Sequence, residues 1–155
     1  MRYGVEFIVI GGQAETLMGS SRITFDVDLC YRRTAENLNR LAEALKELKP
    51  ELRGAPAGLP VVVDARALAL GNNYTFKTRL GPIDLLGWVE PLGDYDALAK
   101  NAETYKMGKF DLKAISLDDL IRVKEHVGRR KDRDALVQLH AIRKERDKGR
   151  GTQPG

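Results

Sequence analysis

The spacing of apolar and polar positions changes along the chain, and each change marks an element. Tyr3–Ile10 is rich in Val and Ile and stops at two adjacent glycines, Gly11 and Gly12, as a strand does. Gln13–Met18 is long enough for one short helix. From Arg22 the period becomes two: Arg22, Thr24, Asp26 and Asp28 alternate with Ile23, Phe25, Val27 and Leu29. The alternation predicts a strand with its body at Phe25–Tyr31, and it puts both aspartates on one face. Thr34 is then set to cap a helix whose Leu38, Leu41, Ala42, Leu45 and Leu48 share one stripe, ended by Pro50.

Glu51–Pro60, with Gly54, Pro56, Gly58 and Pro60, reads as a loop. Val61–Val63 follows as a buried strand or strand edge, and Ala65–Leu70 fits a turn or a short helix. Asn73–Arg79 and Ile83–Gly87 flank Gly81-Pro82 and read as a β-hairpin. Asp94–Asn101 fits a short helix. Thr104–Met107 and Phe110–Ala114 flank Gly108-Lys109 as a second, smaller hairpin. Ser116 and Asp119 have the spacing of a capping box. Leu117, Leu120, Ile121 and Val127 make the stripe behind it, and Gly128 ends that helix. A last helix is predicted over Lys131–Lys144, with Leu136, Leu139 and Ile142 turned inward. Together these elements predict an α/β (α+β) fold with a mixed central sheet and helices mainly on one face. A single domain would span 1–148, with a flexible tail over 149–155.

Composition narrows this picture. The chain has 155 residues and a net charge of +4, and residues 122–150 hold 11 Lys and Arg against 5 Asp and Glu. A polyanion would meet that end, although a solvated helix face accounts for the same charges equally well. No apolar run reaches the length of a membrane span, the N-terminus has no signal-peptide pattern, and a single cysteine excludes an internal disulfide framework. A cytoplasmic protein that does not enter membranes is therefore expected. Cys30 reads as a small buried residue, His126 and His140 as surface or core histidines, and Trp88 and Tyr74 as packing residues. Ser20-Ser21 has no His and Asp arranged around it for a hydrolase triad.

The carboxylates carry the chemistry. Asp26 and Asp28 project side by side and repel each other, which a divalent cation between them relieves. Asp84 interrupts the apolar run Gly-Pro-Ile-Asp-Leu-Leu and is costly to bury without a partner. If the first hairpin lies beside the Asp26–Asp28 strand, three carboxylates converge. Such a set suits two magnesium ions about 4 Å apart, which clamp the attacking and leaving oxygens of a phosphoryl-type displacement. At Gly11-Gly12 the bare backbone leaves room for a phosphate. Arg22 and Thr24 share the aspartates' face, where they either touch a phosphate or neutralise the carboxylates.

Gly11-Gly12, then Asp26-x-Asp28, then Asp84 in an apolar strand resembles the nucleotidyltransferase superfamily of the DNA polymerase beta type. The likeness is greatest to its small bacterial members, the AbiEii-like toxins of toxin–antitoxin systems among them. It extends to about Ile142 and includes Ser116–Lys124 followed by Gly128-Arg129-Arg130-Lys131-Asp132. The resemblance implies a minimal nucleotidyltransferase fold, with Asp26, Asp28 and Asp84 as catalytic ligands of Mg²⁺ (or Mn²⁺). It further implies transfer of a nucleoside monophosphate from an NTP to a hydroxyl of RNA (tRNA) or protein. Gly11, Gly12, Arg22, Thr24 and Lys131 would bind the nucleotide, with Lys124 as the alternative to Lys131. Two departures favour a catalytically degenerate binding module instead. Gly12 stands where active members often carry serine, and only four residues precede Val5, too few for the helix that usually comes first. Either the start is truncated, or the apolar face of Val5–Ile10 is bare and an antitoxin or self-association is expected to cover the N-terminal strand region.

Overall fold

The computed structural model describes residues 3–54, 56, 63–71 and 73–152, with side chains described as far as 149. Thirteen elements follow one another in these residues: β1 (Phe7–Ile10), α1 (Gly11–Leu17), β2 (Val27–Tyr31), α2 (Ala35–Glu47), β3 (Glu51–Leu52), α3 (Ala65–Leu70), β4 (Asn73–Thr78), β5 (Gly81–Leu86), α4 (Tyr95–Ala99), β6 (Glu103–Met107), β7 (Phe110–Ala114), α5 (Leu117–Val127) and α6 (Asp132–Thr152). The strands form one seven-stranded sheet in the order β3-β4-β5-β2-β1-β7-β6. Pairing is parallel between β2 and β5 and between β1 and β7, and antiparallel elsewhere, so the sheet is mixed. The expected α/β class is observed, with both hairpins in place as β4–β5 and β6–β7.

Local chemistry sets the helix starts. Thr34 Oγ1 accepts a hydrogen bond from Asn37 N, and Ser116 Oγ accepts one from Asp119 N, as the caps predict. Asp64 caps α3 in the same way, which resolves Ala65–Leu70 as a helix. Gly128 closes α5 with a left-handed φ of 63°, a conformation that costs glycine nothing. Neighbouring residues of β2 face opposite sides of the sheet, and a core cluster forms on each. Tyr31 joins Leu38, Leu41 and Leu45 of α2, Leu68 of α3, and Phe76 and Leu85. Cys30 joins Ala14 of α1, Leu98 of α4, Leu120 and Ile121 of α5 and Leu139 of α6. Four of the six helices thus contribute to the Cys30 side, which is also the side of Asp28.

Several expectations need correction. Residues 22–26, where the alternation begins, are not strand. Ile23 and Phe25, at 85% and 83% exposure, pack against no core, because the alternation there has no neighbouring strand to pair with. Gly11 already belongs to α1, so the helix starts two residues early. Glu51 and Leu52 pair with β4 inside the expected loop. Val63 is buried outside any strand, while Val61 and Val62 lie outside the described residues. The last helix continues past Lys144 to Thr152, and 153–155 of the expected tail lie outside the described residues.

The first strand is not bare. Ile8, Val9 and Ile10 are all buried, between β2 on one side and β7 on the other. Asn37 of α2 pins the segment that leads into it: its Oδ1 accepts from Glu6 N at 2.7 Å, and its Nδ2 donates to Glu6 O at 2.9 Å and Arg32 O at 2.7 Å. The chain supplies its own cover, so the reason for expecting self-association or an antitoxin at the N-terminal strand region is gone. No helix of the described residues is long and apolar enough to cross a membrane.

Candidate active site

At the end of β1 the chain turns sharply into α1. Gly11 takes a φ of 66°, and a Cβ there would overlap Asp28 Oδ2. A Cβ on Gly12 would stand 2.8 Å from Thr24 Cγ2. The two glycines therefore make room for Asp28 and Thr24. The space expected for a phosphate at these two positions is taken by the chain's own side chains. Serine at position 12 would collide with Thr24, which gives the departure at Gly12 a packing cause.

Parallel pairing of β2 with β5 sets Asp28 opposite Asp84 in register. Burial pushes the Asp28 carboxyl up to about 6 from its usual 3.8, helped by a hydrogen bond with Asp84 and by the negative charges of Asp84 and Asp26; Lys124 opposes the shift. Oδ1 of each aspartate is buried without a hydrogen-bond partner. Arg53 Nη2 approaches Asp84 Oδ1 at 3.3 Å as an ion pair. Asp26 lies just before β2, where the chain has not yet joined the sheet. Among the described residues no three His, Cys, Asp or Glu gather at the spacing that holds a metal ion. The expected three-carboxylate convergence is thus a close pair, Asp28 and Asp84, with Asp26 beside it. Two buried, orphaned carboxylate oxygens on facing strands still fit a hard divalent cation, which takes oxygen ligands and completes its shell with water and phosphate.

A cleft of about 570 Å³ opens over the pair. Gly11, Gly12, Arg22, Thr24, Asp26, Asp28, Asp84 and Lys131 all line it, so every residue singled out from the sequence reaches one place. Their individual situations differ. Arg22 Nη1 sits 3.4 Å from Glu15 Oε2, so it neutralises a carboxylate other than the aspartates. Lys131 precedes α6, is exposed, and makes no ion pair among the described residues. Ile23, Trp88 and Val127 give the cleft an apolar margin.

Glu15, Lys124, Arg129 and Asp132 line the same cleft; the sequence offers Lys124 as the alternative to Lys131 but does not show the ion pairs that hold it. Lys124 Nζ lies 2.9 Å from Glu15 Oε1 and 3.2 Å from Asp132 Oδ1, and Arg129 Nε lies 3.0 Å from Asp132 Oδ2. Glu15 and Asp132 are buried, and the side chain of Lys124 is 13% exposed. Burial works to raise the Asp132 carboxyl, but hydrogen bonds from Arg129 and Lys124 outweigh it and hold the group below its usual range. A signal was present: Leu117, Leu120, Ile121 and Lys124 follow helical spacing, which puts Lys124 on the buried stripe. Elsewhere, burial pushes the Cys30 thiol up to about 12, which leaves it inert at neutral pH. The basic C-terminal helix is partly balanced within the chain: Arg143 pairs with Asp118, Arg146 with Glu103 and Lys148 with Glu145.

No protein-family model matches the chain, and no curated protein matches its sequence. Solved structures do resemble it. The lincosamide antibiotic adenylyltransferase LnuA, in its lincomycin-bound form, aligns with a TM-score of 0.57 at 15% identity, covering 91% of this chain and 89% of LnuA. A candidate nucleotidyltransferase from Thermotoga maritima, TM1012, aligns with a TM-score of 0.53 at 14% identity, covering 89% of this chain and 83% of that one. The chain shares the fold of these proteins.

Proposed function

We propose that this chain is a Mg²⁺-dependent nucleotidyltransferase that moves a nucleoside monophosphate from an NTP to a hydroxyl acceptor. The observation that carries this reading is the Asp28–Asp84 pair: two half-buried carboxylates in register, each with a buried oxygen that makes no hydrogen bond, facing an open cleft on a nucleotidyltransferase fold. A fold does not keep such a pair for stability, because like charges in low dielectric oppose folding. Asp28 and Asp84 would hold the cation, with Asp26 beside them. When bound, the divalent ion supplies positive charge to the phosphoryl oxygens as charge develops on them.

The chain's own groups do the rest. Gly11 lets Asp28 reach its place, and Gly12 does the same for Thr24. Lys131 stands at the cleft with a free charge for the triphosphate. Asp84 accepts the proton of the attacking hydroxyl. The new O–P bond forms at the α-phosphorus, the bond from that phosphorus to the α–β bridging oxygen breaks, and pyrophosphate leaves. The apolar margin formed by Ile23, Trp88 and Val127 favours an acceptor with an apolar body over a polyanion such as RNA, and the internal pairing of α6 points the same way.

The test uses α-labelled NTPs with Mg²⁺ and a panel of hydroxyl compounds, small molecules, protein and tRNA included. Metal-dependent label transfer and pyrophosphate release should be lost in Asp28→Asn, Asp84→Asn. Absence of both nucleotide binding and transfer by the native chain would favour a catalytically degenerate module acting through a partner.

A further inference from the structure

The cation paired with Asp84 comes from the sheet edge, outside the residues that line the cleft. Arg53 follows β3 at the sheet edge, and its backbone N–H donates to Thr75 O at 3.1 Å. Thr75 stands opposite Asp84 in the β4–β5 register. This places the Arg53 Nη2 at 3.3 Å from Asp84 Oδ1, a buried oxygen with no aligned hydrogen bond, so charge alone holds the contact. The other cation near the pair, Lys124, is committed to Glu15 and Asp132. Arg53 is half-exposed, reaches in from the rim, and pairs with no second carboxylate among the described residues. A guanidinium on a flexible stem can leave without disturbing the core.

We propose that Arg53 is a resident counter-ion of Asp84, which a divalent cation must displace in order to bind the carboxylate pair. This rests on reading Asp28 and Asp84 as the cation site. The guanidinium and the cation compete for the same carboxylate oxygen, so they exclude each other. Arg53 therefore lowers the cation affinity of the empty cleft and offsets one of the pair's two negative charges until a cation arrives with its own phosphate ligands.

The test is a Mn²⁺ titration without nucleotide, followed by the spin-resonance signal of free Mn²⁺. Arg53→Gln and Arg53→Ala should each tighten Mn²⁺ binding by about fivefold, the most a surface-accessible ion pair usually opposes. Lys109→Gln, which removes a charge at the tip of the distant β6–β7 hairpin, should change nothing. In the Asp84→Asn background the Arg53 change should have no further effect. Unchanged or weaker binding in both Arg53 variants overturns the proposal, as does equal tightening in the Asp84→Asn background. Binding that depends on Asp84 and ignores Arg53 removes only the counter-ion role. Binding indifferent to Asp28→Asn, Asp84→Asn removes the cation site itself.

Discussion

On the α5–α6 side of the cleft, Lys124 lies between Glu15 and Asp132, and Arg129 closes the set. On the β2–β5 side, Asp28 faces Asp84 with two buried oxygens that make no hydrogen bond, and among the described residues the half-exposed Arg53 pairs with one of them. The first buries its carboxylates, whereas the second holds its own half-buried at the open cleft. The first balances charge within the chain and ties three helices together; the second leaves negative charge in excess. Buried ion pairs are poor sources of net stability but are costly to break, so the Lys124 cluster reads as scaffold. The aspartate pair costs stability with Arg53 alone, among the described residues, paired to offset it, so under the proposed function it is the working part. The shifts have opposite signs: Asp132 is held below its usual range, whereas Asp28 is raised.

The largest effect is expected from breaking the scaffold. Lys124→Met should destabilise the protein by about 3–5 kcal/mol, measured by denaturant unfolding, because Glu15 and Asp132 are then buried without their common partner. Gly11→Ala comes next, at about 2–4 kcal/mol, from left-handed strain plus the overlap with Asp28. In an Asp28→Ala background the overlap is relieved, so the two changes should be clearly non-additive.

A smaller effect separates the regions by pH. A carboxyl raised in the folded state makes that state bind protons more tightly than the unfolded chain, so stability falls as pH rises from the usual 3.8 through about 6. Above that window the penalty is complete, and below it there is none. Asp28→Asn should therefore stabilise the metal-free protein by about 1–2 kcal/mol at pH 8 and by almost nothing at pH 4. Asp132 works the other way, since its contribution is present at neutral pH and lost on acidification. A pH-independent Asp28→Asn effect would contradict the assigned environment. The smallest effect on the fold belongs to Lys131→Ala, under about 0.5 kcal/mol for an exposed residue. Its affinity for Mg·NTP, read by calorimetry, should still weaken by about 1–3 kcal/mol, the range for a charged hydrogen bond.

The elements legible in the sequence were those that local chemistry decides. Thr34, Ser116 and Gly128 mark helix ends because capping depends on a few neighbouring residues. The α2 stripe is legible because one face of a helix must be apolar to be buried. Asp84 was legible as a charge inside an apolar strand, and register with Asp28 followed once β5 lay beside β2. What stayed hidden depends on distant partners. Residues 22–26 alternate as a strand does, yet no strand pairs with them. The partners of Lys124 come from α1 and α6, far apart in sequence. Arg53 meets Asp84 only because β3, in a segment that reads as loop, pairs with β4. β1 is flanked by β2 and β7 and packs in one core with Leu98 of α4 and Leu120 of α5, which no stretch near Val5 announces.

The central claim is that the Asp28–Asp84 pair is completed by a divalent cation brought with a nucleotide. The most direct measurement is thermal unfolding at pH 8 of the native chain and of Asp28→Asn, Asp84→Asn, each with and without Mg²⁺ and NTP together. A ligand that binds only the folded state raises the melting temperature by mass action. A clear rise that needs both Mg²⁺ and NTP is expected for the native chain, and none for the double variant, which should itself melt higher than the unliganded native chain. An equal rise in both proteins, or a rise with NTP that ignores Mg²⁺, would contradict it.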